Sequence, residues 1–262
     1  MSRKYVVAAL RRCTQCQMLY RTPTDTPAEA ESFYNADYVQ GLTTSLPAPA
    51  ELAAMKAAGF AMMESDYAGF AATLKALGAA EGSRVFDYGC SWGYGSWVFA
   101  QAGFRVKSHE ISRPRRHYGQ QHLGIDLAED FDGFVAANRG SFDVFFSSHV
   151  LEHVPSPSVV IAKGFELLRA GGLFVSCFPN GADAWRKASP DSWQKLWGEV
   201  HPNLLDDRFM GALLHDRPHL LGVSPFQITP EALDHLAGSA PGAFLLNDLA
   251  GYELFVAARK AD

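Results

Sequence analysis

The sequence has few charged residues and no long apolar run, and each shortage excludes a class of protein. Charged residues make up 19% of the 262 residues and the formal net charge is -5, so the chain lacks the basic excess that non-specific nucleic-acid binding needs. No apolar run is long enough to cross a bilayer, and the apolar stretch after Met1–Lys4 is too short for a signal peptide. We therefore expect a cytoplasmic protein with neither a nucleic-acid nor a membrane partner.

Cysteine is also scarce, and its spacing argues against a disulfide framework. Only Cys13 and Cys16 are close together among the four cysteines. This CxxC pair could supply half of a tetrahedral zinc site, but no second pair lies nearby and the first histidine is His109. His215 and His219 have helical metal-ligand spacing, but the proline between them would disrupt a helix. The sequence therefore predicts no metal site.

One stretch, residues 84–95, combines an apolar strand, a turn of small residues and the start of a helix. The turn runs through Gly89, Ser91 and Gly93. After it, apolar residues recur at three- and four-residue intervals, which predicts an amphipathic helix. This order of elements brings backbone N–H groups close to a nucleotide-like ligand, and small residues keep the backbone accessible.

Strands and helices alternate around this stretch. Apolar periodicity predicts one long helix or two helices over residues 51–77. The next predicted strands are 105–110, 124–127, 143–148 and 173–178, and the predicted helices among them are 112–123 and 156–168. The alternation predicts an α/β fold with a doubly wound, mostly parallel sheet.

The two ends of the chain differ from this pattern. Residues 1–48 read as a CxxC-containing extension, and residues 49–262 as one domain. Residues 244–248 and 254–259 predict a closing hairpin.

Residues 181–224 interrupt the alternation inside that domain. They hold three of the five tryptophans, Trp185, Trp193 and Trp197. An aromatic-rich insertion after the carboxyl end of a strand is where a substrate cover would lie. The tryptophans could stack on a sugar or an aromatic ligand, but we favour a role as the core of this small insertion.

Three features have the spacing of a nucleoside site. The first is the turn Gly89–Gly93. The second is Glu110, at the end of the next strand, whose carboxylate can accept hydrogen bonds from both ribose hydroxyls. The third strand ends at Leu127, beside the expected position of a base. The glycines fall at 89, 93 and 95, so the G-x-G-x-x-G pattern of dehydrogenases does not match.

In these residues the sequence resembles the class I S-adenosylmethionine-dependent methyltransferases. The resemblance covers roughly residues 80–180 and, in outline, the end of the chain. It is carried by Val85–Gly93, His109–Glu110, Phe142–Val144, Ser148–His153, Leu168–Gly172 and Phe178–Asn180. It implies a Rossmann-like sheet of seven strands with the last strand antiparallel, and S-adenosylmethionine as cofactor.

The resemblance also implies roles for individual residues. Asp87 and Gly89 would contact the methionine part, Glu110 the ribose and Leu127 the adenine, while His149 would lie beside the cofactor. The remaining candidates in the turn are Cys90, Ser91 and Gly93.

The N-terminal extension carries a second resemblance. The CxxC pair followed by Phe33–Tyr38 is similar to the zinc-ribbon lead-in of certain sugar and small-molecule methyltransferases, although the earlier cysteine pair of those proteins is missing. In such relatives, tyrosines of the lead-in close over the cofactor, which makes Tyr34 and Tyr38 candidates. The predicted acceptor is therefore a small molecule, a sugar or a biosynthetic intermediate.

Methyl transfer needs the acceptor held close to the methyl carbon, and it needs a base only if the acceptor must lose a proton. The candidate catalytic residues are His149, Glu152 and His153 after the fourth strand, and His201 in the insertion. For His153 and His201, a structural role in tying a loop to the backbone stays open.

Two alternatives compete with the methyltransferase interpretation. The string Gly89-x-Ser91-x-Gly93 also fits the nucleophile elbow of α/β-hydrolases, but the last histidine, His235, lies in a predicted helix without a suitable acid before it. A non-catalytic module that binds S-adenosylmethionine would have the same fold and would differ only in turnover.

Overall fold

The glycine-rich turn follows a strand of a seven-stranded sheet in the computed structural model, which describes residues 3–4, 8–26, 28–29, 32, 45–61, 63, 65–198 and 201–261. The strands are β1 (Arg3–Lys4), β2 (Ala8–Arg12), β3 (Leu19–Thr22), β4 (Arg84–Tyr88), β5 (Arg105–His109), β6 (Phe142–Ser148), β7 (Leu168–Pro179), β8 (Asn203–Leu204), β9 (Pro218–Val223), β10 (Gly242–Leu245) and β11 (Glu253–Arg259). The helices are α1 (Pro49–Ala57), α2 (Tyr67–Ala76), α3 (Tyr94–Gln101), α4 (Arg113–Leu123), α5 (Phe131–Ala137), α6 (Pro157–Leu167), α7 (Asp183–Ala188), α8 (Pro190–Lys195), α9 (Asp207–Leu213) and α10 (Pro230–Ala237).

The large sheet has the strand order β10-β9-β11-β7-β6-β4-β5. Its neighbours pair in parallel except where β11 lies antiparallel between β7 and β9. The predicted α/β fold with seven strands and an antiparallel last strand is confirmed. The chain order reverses at β4, which has β5 on one side and β6 on the other. This switch point is where ligands bind in open α/β sheets.

Alternating residues of the central strands supply two apolar layers, one on each face of the sheet. On β4, Val85 belongs to one cluster and Phe86 to the other. On β6, Val144 and Phe146 face the first cluster and Phe145 faces the second. The continuous apolar runs that make these strands recognisable in the sequence therefore reflect burial on both faces.

Two strand predictions at the sheet margins were wrong. The predicted hairpin of 244–248 and 254–259 does not form, because β9 lies between β10 and β11 and pairs with both. The side-chain amide of Asn247 bonds to both backbone groups of Val223, which joins the segment after β10 to β9. The predicted strand 124–127 is reduced to one bridge between Leu127 and Ser108.

The predicted insertion 181–224 extended too far along the chain. Its last part contains β9, whose residues are all buried within the large sheet. The apolar run at 220–223 was the signal for this strand, and the surrounding histidines and prolines obscured it. The insertion therefore ends before residue 218.

The N-terminal strands and the insertion form one small sheet, in the order β1-β2-β3-β8. Trp193 and Trp197 are buried in its apolar cluster together with Leu10, Leu19 and Leu204, so their predicted role as core residues is confirmed. The described residues of the N-terminal hairpin therefore share a sheet with the insertion, and the boundary at residue 48 stays a prediction. Strand β8, which lies about 180 residues later in the chain, completes their sheet.

The predicted helical region 51–77 contains two helices, α1 and α2. The chain turns between them at Gly59, where φ is +59°. Asp66 caps α2, because its side chain accepts a hydrogen bond from the backbone N–H of Gly69 at 2.9 Å.

Within the described ranges, no helix combines the length and the apolar character that crossing a membrane requires.

Candidate functional site

The glycine-rich turn after β4 is held against the ends of β5 and β6. Gly89 and Cys90 donate their backbone N–H groups to the carbonyl oxygen of His109 at 2.8 and 3.0 Å. Gly89 has a φ of +81°, and a Cβ at this position would lie 2.3 Å from Cγ2 of Val150. The turn therefore needs glycine for its backbone conformation and because the loop after β6 packs against it.

Ser91 occupies the middle of the turn in a left-handed conformation, with a φ of +53°. Its hydroxyl is buried and has no hydrogen-bond partner in the described part of the chain. In a nucleophile elbow the serine hydroxyl is hydrogen-bonded to a histidine, which acts as its general base. The last histidine, His235, instead bonds through Nε2 to the carbonyl oxygen of Gly242 at the far edge of the sheet. The hydrolase interpretation therefore lacks its base.

Glu110 connects the turn to the start of helix α4. Its Oε2 accepts from the backbone N–H of Ser91 at 2.9 Å, and its Oε1 accepts from that of Ser112 at 2.8 Å. Burial raises the pKa of Glu110, while the Ser112 N–H and the charge of Arg115 act in the opposite direction. Each carboxylate oxygen retains a second lone pair, so Glu110 can still accept hydroxyl hydrogen bonds in a fixed orientation.

Asp87 lies beneath the turn and is 1% exposed. Its Oδ2 accepts from the Ser96 hydroxyl at 2.6 Å, and the Ser108 hydroxyl donates to Ser96 at 2.9 Å. Burial raises the pKa of Asp87 to about 7, and the Ser96 hydrogen bond partly opposes this. Because this network joins β4, α3 and β5, Asp87 has a structural role, and its contact with a ligand stays a prediction.

Unsatisfied polar groups gather where the strands end. The hydroxyls of Ser91 and Ser148, at the carboxyl ends of neighbouring strands β4 and β6, are buried without a hydrogen-bond partner among the described residues. The carboxylate of Glu110 adds hydrogen-bond acceptors at the end of β5, and the half-buried Leu127 lies beside β5. Hydroxyl and carboxylate groups can bond to the hydroxyls of a ligand, and the nucleoside site at this edge of the sheet stays a prediction.

His149 begins the loop after β6, with a φ of +54°. A hydrogen bond of 2.6 Å joins its Nε2 to Oε2 of Glu253, and its Nδ1 lies 3.6 Å from Oε1 of Glu152. Glu253 is the first residue of β11, opposite Pro179 at the end of β7. Since β11 is antiparallel, its beginning lies at the same sheet edge as the carboxyl ends of the other strands.

Glu152, on the same loop, is 1% exposed, and neither of its carboxylate oxygens has a hydrogen-bond partner in the described chain. Burial raises the pKa of Glu152 to about 7, while the charge of His149 lowers it. The ligand atoms of Glu152, His153 and His201 all lie within 4.8 Å of one another. The structure thus brings together the four predicted catalytic residues.

The insertion is attached to this loop by Asn203 of β8. Its side-chain N–H donates to the Val154 carbonyl oxygen at 2.7 Å, and its backbone N–H donates to that of Glu152 at 3.2 Å. These bonds fix His201, two residues before Asn203, beside the loop after β6. The rings of His153 and His201 lie 4.6 Å apart, centre to centre, in an edge-to-face arrangement.

The predicted site residues fall into two sets. We call Asp87, Gly89–Gly93, Glu110 and Leu127 the turn group, and His149, Glu152, His153 and His201 the junction group. The other two candidates, Tyr34 and Tyr38, lie outside the described residues.

The sequence analysis missed Glu253 and Asn203. The signal for Glu253 was an acid at the start of the antiparallel strand. Asn203 offered no such signal, because its role depends on a contact between the insertion and a loop about 50 residues earlier.

The CxxC pair forms a compact turn between β2 and β3. The backbone N–H of Gln17 donates to the Cys13 carbonyl oxygen at 3.2 Å, and the backbone N–H of Cys13 donates to the Met18 carbonyl oxygen at 2.8 Å. Both thiols are free. In the described chain the only group of three or more potential metal ligands contains neither Cys13 nor Cys16.

Comparison with known proteins agrees with this geometry. Residues 53–217, more than half of the chain, match a family described as a methyltransferase domain. A curated relative, the ubiquinone biosynthesis O-methyltransferase of Ralstonia nicotianae, is 35% identical over 111 residues, which is 40% of this chain and 47% of the relative. The chain thus spans about half the length of the curated relatives it matches.

Two solved structures share the fold. The magnesium protoporphyrin IX methyltransferase of Synechocystis PCC 6803, solved with bound S-adenosylhomocysteine, aligns with a TM-score of 0.54 and 16% identity over 90% of this chain and 100% of its own. The geranyl diphosphate C-methyltransferase of Streptomyces coelicolor aligns with a TM-score of 0.53 and 14% identity over 89% of this chain and 99% of its own.

Proposed function

The chain belongs to the class I S-adenosylmethionine-dependent methyltransferases, and from this we propose that it methylates a hydroxyl group of a small-molecule acceptor. The supporting observation is that the turn group and the His149–Glu253 pair share one edge of the sheet, at the carboxyl ends of β4, β5, β6 and β7. The hydroxyl acceptor agrees with the name of the O-methyltransferase relative. A sugar or a biosynthetic intermediate fits this description.

The turn group supplies the cofactor side of the proposed site. Glu110 would accept hydrogen bonds from the ribose hydroxyls, Leu127 would border the adenine, and the turn Gly89–Gly93 would face the methionine part. The cofactor, when bound, supplies a sulfonium-linked methyl group. Tyr34 and Tyr38 stay candidates for covering it.

The junction group supplies the acceptor side. The carboxylate of Glu253 accepts a hydrogen bond from Nε2–H of His149. In the neutral ring Nδ1 therefore carries the lone pair that can take a proton from an acceptor hydroxyl. We propose His149 as the base and Glu253 as the residue that positions it. The insertion, attached through Asn203, would cover the acceptor and exclude water.

Calorimetric titration with S-adenosylmethionine and S-adenosylhomocysteine tests the cofactor side. We expect micromolar binding of both, and Glu110→Gln should weaken it by about tenfold or more, because a charged acceptor of the ribose hydrogen bonds is lost. Glu166→Gln, at a carboxylate of α6 whose side chain is 43% exposed, is the matched control and should bind like the wild type. Absence of binding to either ligand in folded protein would refute the proposal.

Turnover then separates an enzyme from a module that only binds the cofactor. A panel of hydroxyl-bearing acceptors, monitored by release of S-adenosylhomocysteine, should identify a substrate whose methylation decreases in His149→Gln. Cofactor binding with no release for any acceptor would favour the non-catalytic module. The cytoplasmic location and the absence of a nucleic-acid partner stay predictions from composition.

A further inference from the structure

Glu152 is a buried carboxylate without a hydrogen bond in the described chain, and two histidines lie beside it. A carboxylate removed from water needs a positive charge or hydrogen-bond donors to compensate it. Its close neighbours are Nδ1 of His149 at 3.6 Å and Nε2 of His153 at 3.7 Å, and both distances are too long for hydrogen bonds. We infer that Glu152, His153 and His201 bind a divalent transition-metal ion.

The spacing of the three side chains suits a shared ion better than direct contacts. Zinc–nitrogen and zinc–oxygen bonds of about 2.1 Å place two ligands of one tetrahedral ion about 3.4 Å apart. Oε1 of Glu152 and Nε2 of His153 are 3.7 Å apart, and all three ligand atoms lie within 4.8 Å of one another. Shifts of less than about 1 Å would bring the three side chains into coordination distance.

His201 is oriented as a metal ligand usually is. Its Nδ1 lies 2.8 Å from the carbonyl oxygen of Leu196, which can only accept a hydrogen bond. Nδ1 therefore carries the proton of the neutral ring, and Nε2 keeps the lone pair. A hydrogen bond from the second ring nitrogen to a carbonyl is the common way to fix a ligating histidine.

The donor set indicates the class of ion. Two imidazole nitrogens and one carboxylate oxygen favour zinc or another first-row transition ion, whereas magnesium prefers oxygen ligands alone. Three protein ligands leave at least one position open, as in catalytic zinc sites. If the proposed function holds, an acceptor oxygen would occupy that position. This inference replaces the prediction of no metal site.

The test is a competition titration of chelator-treated protein with Zn²⁺ and a chromogenic chelator. It is performed on the Cys13→Ser, Cys16→Ser double variant, so that thiols cannot bind the ion. We expect one Zn²⁺ per chain, and Glu152→Gln and His201→Asn should each weaken binding by at least about tenfold. Asparagine at 201 can still donate to the Leu196 carbonyl oxygen while removing the ligating nitrogen. His117→Asn, at an exposed histidine of α4, is the matched control and should leave the affinity unchanged.

Two results would overturn the inference. One is that the cysteine double variant binds no Zn²⁺ at micromolar concentration; the other is that it binds Zn²⁺ with the same affinity after His201→Asn and Glu152→Gln. Co²⁺ added to the wild type gives an independent readout. A spectrum without a thiolate-to-cobalt charge-transfer band is expected, and a strong band would place the ion at the cysteines. Since no cofactor or acceptor is present, failure here leaves the proposed methyl transfer untouched.

Discussion

The turn group and the junction group differ in how their carboxylates are compensated. In the turn group, Asp87 and Glu110 accept hydrogen bonds from a hydroxyl and from backbone N–H groups within about 20 residues of the chain. In the junction group, Glu152 is equally buried and has no hydrogen bond in the described chain. The carboxylates of the first group are hydrogen-bonded before a ligand arrives, whereas Glu152 of the second group still needs a compensating partner.

The largest expected effect is the pH dependence that the buried Asp87 of the turn group gives to the free energy of unfolding. The pKa of Asp87 is about 7 in the folded chain, against 3.8 ordinarily, because of burial. Between pH 4 and pH 7 the folded state therefore keeps a proton that the unfolded state releases, and stability falls as the pH rises. The full loss, reached above about pH 7, is about 4 kcal/mol.

Urea unfolding of the ligand-free protein from pH 4.5 to 8 measures this effect. Asp87→Asn should remove its share of the pH-dependent loss, so the variant gains stability relative to the wild type as the pH rises. Asp191→Asn, at an exposed position, should follow the wild type. A difference between Asp87→Asn and the wild type that stays constant with pH would contradict the assignment.

The next effect concerns the backbone of the turn. Gly89→Ala should lower the free energy of unfolding by about 3 kcal/mol, because it adds left-handed strain and a clash with Val150. Gly59→Ala is the matched control, since φ is +59° there and a Cβ would meet nothing within 4 Å; it should cost about 1 kcal/mol. Adding Val150→Ala to Gly89→Ala should restore the part of the free energy of unfolding that the clash removes, but not the part due to backbone strain. Equal costs for the two glycine substitutions would show that contact with the loop after β6 is unimportant.

The smallest effect probes the attachment of the junction group. Asn203→Ala removes the donor to the Val154 carbonyl oxygen and should lower the free energy of unfolding by about 1–2 kcal/mol. Asn138→Ala removes a single hydrogen bond from the side-chain amide to the Phe134 carbonyl oxygen at the end of α5. It should lower the free energy of unfolding by less. If thermal denaturation finds the two variants equal, the junction does not hold the insertion as described.

Most of the turn group could be predicted because Asp87, Gly89–Gly93 and Glu110 lie at the carboxyl ends of β4 and β5, which are consecutive in the chain and parallel neighbours in the sheet. For the junction group, the sequence indicated the individual residues but not that they contact one another. His201 and Glu253 reach the loop after β6 from about 50 and 100 residues away, through contacts that no local pattern encodes. The same limit explains the errors in the fold. β8 pairs with β3, about 180 residues earlier in the chain, and β9 lies between β10 and β11 instead of beside β10 alone, so their places in the two sheets could not be read from periodicity.

The pairing of the N-terminal hairpin with β8 bears on the order in which the protein is made. Arg12 of the hairpin and Asp206 next to β8 form an ion pair 2.7 Å long, although 194 positions separate them. During synthesis the hairpin leaves the ribosome first, while Trp193, Trp197 and β8 are still to be translated. Its apolar residues Leu10 and Leu19 stay uncovered until then. The small sheet can therefore be completed only after β8 has been translated.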